Sequence, residues 1–274
     1  MKSKKLVIKD GNIIDPSSRT NCIGDLIIKN NLIIDVIPNS NQTYSDEYEI
    51  INAKNMIVSP GFIDAHTHLR DPGQEWKETI STGSKSAAKG GFTTITSMPN
   101  TIPALDNANI VNDLVNRSKT DAIVRILPIG SITIGQKGAN LSPMNELAEA
   151  GVIGFSDDGN PVSDSNIMKQ ALTYSVDLDL PVINHAEDKK IVGKGLMNEG
   201  IVSNRLGLFG ADSSAETVMI ARDLILAENI GAKLHIPHIS SSSSLHLLEI
   251  YKNMGLNVTA EVTPHHLTLN ENWV

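Results

Sequence analysis

Two histidines one residue apart, His66 and His68, close the apolar run Phe62-Ile63-Asp64-Ala65, and Arg70 stands two positions further on. If that run is a β-strand, residues two apart share a face. The two imidazoles then stand side by side, as two ligands of one metal ion require. A strand with two incidental histidines would have the same local sequence. The weight therefore falls on what else the chain offers.

It offers polar residues at the ends of several other short apolar runs: Met98-Pro99-Asn100, Ser156-Asp157-Asp158-Gly159, Asn184-His185-Ala186-Glu187, Pro237-His238-Ile239-Ser240 and Thr263-Pro264-His265-His266. Each has a plain alternative. Asp157-Asp158-Gly159 has turn chemistry, and His185 would serve as a hydrogen-bonded core histidine. Glu187 is either a partner of a ligand or exposed, and His265 and His266 either shape the site or lie outside it. His235 and His238 are three apart and face opposite ways if one strand runs through both, which assigns His238 to the site and His235 to packing among outer helices. His246 falls on a helix, as a surface or packing residue. Taken as a group, four histidines and a carboxylate form an N/O donor set suited to Zn²⁺, with Mn²⁺ or Co²⁺ as substitutes. That is too many ligands for one catalytic zinc, and it suits two ions bridged by a carboxylate.

The elements that must position these residues fall into two parts. Residues 1–58 read as short strands and turns without helices, including a tight hairpin at Asn30-Asn31, and make a small β domain. From residue 59 to 274, apolar strands alternate with helical periods. The strands fall near 62–65, 93–98, 122–129, 152–155, 181–184, 233–237 and 257–262. Helices are expected over 75–89, 107–118, 144–149, 164–178, 213–229 and 242–254, with an irregular connection from 188 to 212. Repeated β-then-α units predict an α/β fold with buried parallel strands. A TIM-like (β/α)₈ barrel gathers the C-terminal strand ends at one mouth, whereas an open doubly wound sheet spreads them along a line. Closure is what brings His66, Asp158, His185 and His238 within reach of common ions. Seven of the eight strands are present.

The bulk properties exclude several roles. The chain has 274 residues, 40% hydrophobic, with a formal net charge of −8. The acidic balance argues against nucleic acid, and no apolar run reaches membrane-spanning length. The basic start Met1-Lys2-Ser3-Lys4-Lys5 is followed by too short an apolar run for a signal peptide. Cys22 is the single cysteine, which excludes an intrachain disulfide and a cysteine zinc site. A cytoplasmic protein acting on a small molecule is expected.

Several segments, in order along the chain, resemble the dihydroorotases of the amidohydrolase superfamily, in the bacterial class I form. They are Pro60-Gly61-Phe62-Ile63-Asp64-Ala65-His66-Thr67-His68-Leu69-Arg70-Asp71-Pro72-Gly73, Gly90-Gly91-Phe92-Thr93-Thr94, Met98-Pro99-Asn100-Thr101, Phe155-Ser156-Asp157-Asp158-Gly159 and Ala260-Glu261-Val262-Thr263-Pro264-His265-His266-Leu267. The resemblance implies that His66 and His68 bind one zinc ion, that His185 and His238 bind a second, and that Asp158 bridges them. It implies that Arg70 and Asn100, with His68, hold the substrate, and a guanidinium fork suits a carboxylate. The implied reaction is reversible hydrolysis of (S)-dihydroorotate to N-carbamoyl-L-aspartate in pyrimidine synthesis. Hydantoinases and allantoinases, the alternative within the superfamily, carry a carboxylated lysine where this chain has Asp158.

The resemblance also implies an Asp-His-Ala-Pro-His segment whose aspartate binds the first metal and moves the proton. No such segment occurs up to Val274. The expectation is that this aspartate and the eighth strand lie beyond Val274, so no catalytic acid is assigned within these residues. The other reading is a non-catalytic subunit of an aspartate carbamoyltransferase assembly. A homodimer or association with aspartate carbamoyltransferase are the modes of assembly the resemblance implies.

Overall fold

The computed structural model describes residues 5–274, so the basic Met1–Lys4 considered above lies outside the described residues. The chain divides between Phe62 and Ile63 into two compact units.

The first unit is a β-sheet of β1 (Lys5–Asp15), β2 (Thr20–Lys29), β3 (Leu32–Pro38), β4 (Tyr48–Asn52) and β5 (Ile57–Val58). Its order is β3-β2-β1-β4, with β5 also beside β1. Asn30 and Asn31 both take positive φ, 51° and 65°. That is the backbone a two-residue hairpin demands and asparagine tolerates. Lys29 accordingly pairs with Leu32. Val7, Ile13, Leu26 and Ile27 are its buried large apolar residues.

The second unit alternates strand and helix: β6 (Phe62–Thr67), α1 (Ile80–Lys89), β7 (Phe92–Ser97), α2 (Ala108–Asp121), β8 (Arg125–Pro128), α3 (Met144–Glu149), β9 (Phe155–Ser156), α4 (Ser165–Asp177) and β10 (Val182–Ile183). A small excursion follows, with α5 (Lys189–Val192), β11 (Met197–Asn198), α6 (Ile201–Leu206) and β12 (Gly210–Ala211). The alternation then resumes with α7 (Ser214–Ile230), β13 (Leu234–Ile236), α8 (Ser242–Asn253), β14 (Val258–Ala260) and α9 (Pro264–Thr268). The barrel strands run in the order β6-β7-β8 and β9-β10-β13-β14. A parallel bridge between Gly130 and Phe155 joins the two groups. The result is seven strands arranged as part of a (β/α) barrel. Among the described residues no strand pairing joins β14 back to β6.

The core lies between strands and helices. Phe155, Val182, Leu234, Ile236 and Val258 from the strands pack with Leu114, Leu172, Leu224 and Leu248 from the helices. Because side chains alternate across a strand, sending Leu234 and Ile236 outward turns His235 inward. This corrects the expectation that His235 packs among the outer helices. The strand ends at Ile236 and His238 takes a φ of 38°. The alternation is broken there, so both histidines reach the same side.

One helix boundary and one connection differ from the sequence expectation. The helix expected from residue 75 starts at Ile80, because Thr79 and Thr82 form a reciprocal capping box that satisfies the first free amides. The connection from 188 to 212 holds two short helices and the β11–β12 pair. These pieces are too short for a periodicity to register.

Candidate metal centre

Each candidate ligand lies at the C-terminal end of a barrel strand or just past it. His66 and His68 are fixed by their strand. Thr67 between them donates to the Thr96 carbonyl of β7 at 2.5 Å, and Leu69 behind them is buried. Asp157 and Asp158 follow β9 and point to opposite sides, as alternation requires. Asp157 accepts from the Thr133 amide at 3.0 Å and from the Thr133 hydroxyl. Burial pushes its carboxyl up to about 6, against those donors. Asp158 turns to the centre, only 4% exposed.

Around Asp158 the donor atoms converge. Its Oδ1 is 3.4 Å from His66 Nε2, 3.8 Å from His185 Nδ1 and 3.9 Å from His238 Nε2, and its Oδ2 is 3.6 Å from His68 Nε2. His185 Nδ1 and His238 Nε2 are 3.0 Å apart. Two groups emerge, His66–His68–Asp158 and Asp158–His185–His238, and the ligand atoms of each lie within 4.8 Å of one another. Bonds of roughly 2.0–2.2 Å to a tetrahedral ion put neighbouring ligand atoms roughly 3.3 Å apart. The observed spacings match a ligand shell for one ion per group, with Asp158 Oδ1 facing His66, His185 and His238 and Oδ2 facing His68.

Tautomers follow from the outer partners. Asn100 Nδ2 donates to Asp158 Oδ2 at 3.1 Å, so its Oδ1 accepts from His68 Nδ1 at 2.9 Å. Glu261 Oε1 accepts from His66 Nδ1 at 2.5 Å. Both arrangements put the proton of the neutral ring on Nδ1 and aim Nε2 at Asp158, the atom that binds a metal once it gives up any proton of its own. Asn100, expected at the substrate, has its amide engaged with two ligands. Arg70 takes a φ of 59° in the loop beyond His68. That loop packs on the segment after Asn100: Ile102 donates to the Pro72 carbonyl at 3.1 Å, and a Cβ at Gly73 would lie 1.7 Å from the Ile102 oxygen. Arg70 and Asn100 thus occupy adjoining loops.

Electrostatics mark the same cluster. Burial disfavours a charged His66, but hydrogen bonds to Asp158 and Glu261 outweigh it and hold its pKa up to about 9. Burial would raise Asp158, yet His238 and His66 as donors keep its carboxyl well below the usual range. Burial, opposed by Asn100, keeps His68 low, and burial together with the His238 charge does the same for His185. A carboxylate held ionised among imidazoles is a site built for positive charge.

Sequence reasoning gives Glu261 no role at the centre and places His235 outside it. Glu261 follows β14. Besides His66, its Oε2 lies 3.5 Å from His235 Nε2, and His235 Nδ1 is 2.8 Å from Thr259 Oγ1. Burial acts against the charged form, but the two histidines hold the Glu261 pKa down to about 2. The one available signal was its place at the seventh strand end beside Thr263-Pro264-His265-His266. His265 and His266 fall on α9 and are exposed. His266 nevertheless lines, with His185, Glu187, His238 and Asn270, a cleft of about 580 Å³ opening beside the second group. Glu187 reaches to 3.7 Å from His185 Nε2.

Comparison with known proteins identifies the family. The dihydro-orotase-like family model matches residues 55–244. A dihydroorotase of Aquifex aeolicus is 45% identical over 267 residues, covering 97% of this chain and 62% of its own length. One from Ruminiclostridium cellulolyticum is 45% identical over 268 residues, with 98% and 62% covered. This chain therefore spans about 62% of the length of these curated relatives. Among solved structures, an L-hydantoinase from Arthrobacter aurescens superposes with a TM-score of 0.79 at 19% identity, over 97% of this chain and 60% of that one. A D-hydantoinase gives 0.78 at 23%, over 98% and 59%.

Proposed function

The chain belongs to the dihydroorotase-like family, and on that premise we propose that it is the metal-binding part of a dihydroorotase, hydrolysing (S)-dihydroorotate reversibly to N-carbamoyl-L-aspartate. The observation that carries the proposal is the convergence of four histidine nitrogens on the two oxygens of Asp158. His66 and His68 would hold one zinc ion, His185 and His238 the other, and Asp158 both. Zinc, when bound, supplies Lewis acidity and a water whose pKa falls from 15.7 to about 7. The chain's own residues do the rest. Asn100 and Glu261 keep the His68 and His66 tautomers fixed. Asp158 carries the negative charge that balances the ions. Arg70, on the loop beyond His68, pairs with the substrate carboxylate.

Arg70 separates this reading from a hydantoinase, whose neutral ring offers a guanidinium no partner. Arg70→Met is expected to raise KM for dihydroorotate roughly 10- to 100-fold, the worth of a charge-assisted hydrogen bond, with metal content unchanged. Loss of metal would make Arg70 structural instead. Turnover of dihydroorotate, hydantoin and allantoin by the full-length enzyme that contains this chain tests the assignment. Dihydroorotate alone is expected to react, and hydrolysis of only the other two would contradict it.

The proposal extends to setting and assembly. Among the described residues no helix is long and apolar enough to cross a membrane. With a single cysteine, the donor set depends on histidine and carboxylate and needs no oxidising compartment. A cytoplasmic enzyme fits both features. Self-association to a homodimer, or docking on aspartate carbamoyltransferase, would be separated by sedimentation of the chain with and without that enzyme.

A further inference from the structure

Behind the second ligand group lies a buried charge that the metal reading does not use. Asp223, on α7, is fully buried in the layer between helix and strand, where Leu224 and Ala227 are apolar. Its Oδ2 accepts from Asn184 Nδ2 at 2.6 Å. Its Oδ1 accepts from Arg222 Nε at 2.8 Å and is 2.7 Å from Arg222 Nη2. Asn184 is also fully buried and immediately precedes His185. Its Oδ1 accepts from the Val162 amide at 3.4 Å, and Arg222 Nη1 donates to the Ser163 carbonyl at 3.0 Å. Val162 and Ser163 belong to the loop that leaves Asp158. One carboxylate thus ties three things together: helix α7, the end of the strand that presents His185, and the loop behind Asp158.

Stability alone is a poor reason for this group. A buried ion pair can often be replaced by apolar residues of similar volume without loss. What an apolar residue cannot do is hold the Asn184 amide at one rotation. A side chain with a donor end and an acceptor end fixes its own backbone when both ends are engaged. His185 Nδ1 and Asp158 Oδ1 have to keep a ligand spacing to within a few tenths of an ångström, and the groups behind a ligand set that spacing.

We propose that Asp223 is a positioning residue for the second ion: through Asn184 and Arg222 it holds His185 and Asp158 in the arrangement that binds it. This rests on the two-ion reading above. The test is a Co²⁺ titration of the full chain, followed by visible absorption, with the occupancy of each position refined from anomalous scattering in crystals. Asp223→Leu keeps the branching and the number of side-chain heavy atoms, at a larger volume, and removes the acceptor. It is expected to weaken the ion at His185–His238 roughly 10- to 100-fold, the usual cost of losing an outer partner, and to leave the ion at His66–His68 within twofold. Asp223→Asn is the milder change for the case in which the leucine variant does not fold, and a smaller loss confined to the same ion is expected. Equal weakening of both ions would mean a general structural role and would overturn the inference, as would unchanged affinities. Wild-type protein that binds fewer than two ions would overturn the two-ion reading itself, and the inference with it.

Discussion

Asp158→Ala in the full-length enzyme is expected to abolish the joint binding of two ions and to lower turnover of dihydroorotate by roughly 10³-fold or more. Lewis-acid stabilisation by a metal centre is worth several kcal/mol, and each 1.36 kcal/mol is about tenfold in rate. The effect is large because one side chain faces all four histidines, at 3.4 to 3.9 Å. Alanine would leave four imidazoles with no carboxylate between them. Two divalent ions a few ångströms apart repel strongly in such a partly buried site. Metal analysis after gel filtration checks the first half of the expectation, and steady-state kinetics the second. Retention of two ions per chain would remove Asp158 from its bridging role.

Glu261→Leu should have the next largest effect. Glu261 is the hydrogen-bond partner of His66 Nδ1 at 2.5 Å, and it sets which nitrogen of that ring faces Asp158. Without it His66 is free to take the other tautomer or rotate, and the buried His235 Nε2 loses its carboxylate neighbour as well. Removing such a partner costs roughly 10- to 100-fold in metal affinity. The loss should fall on the ion shared with His68, and zinc competition against a chelator of known affinity would measure it. Glu261→Gln keeps an acceptor oxygen and should recover part of the affinity. If leucine and glutamine behave alike and both match wild type, the contact has no bearing on metal binding.

Much of the fold was legible because the alternation of short apolar strands with helical periods is a strong signal when repeated seven times. Strand ends were also readable as a set, since barrel topology makes separate segments converge. His185, His238 and Asp158 were recoverable in that way, although each has an ordinary alternative when taken singly. Other features were not readable. His235 was misplaced because the count of three to His238 assumed a continuous strand, whereas the strand stops at Ile236 and His238 takes a positive φ. Glu261 lies in one of the segments that carry the resemblance, but its role comes from a partner 195 residues away. Asn100 looked like a substrate contact, and only its two hydrogen bonds show how much it gives to His68 and Asp158. Asp223 reads as one more polar residue of a helix until its burial is seen.

The most direct test of the two-ion centre is an anomalous difference map at the zinc edge, from crystals grown with Zn²⁺. Two peaks roughly 3.5–4 Å apart are expected, one between His66 and His68, the other between His185 and His238, each beside one oxygen of Asp158. A single peak, or peaks that do not touch Asp158, would contradict the centre described here.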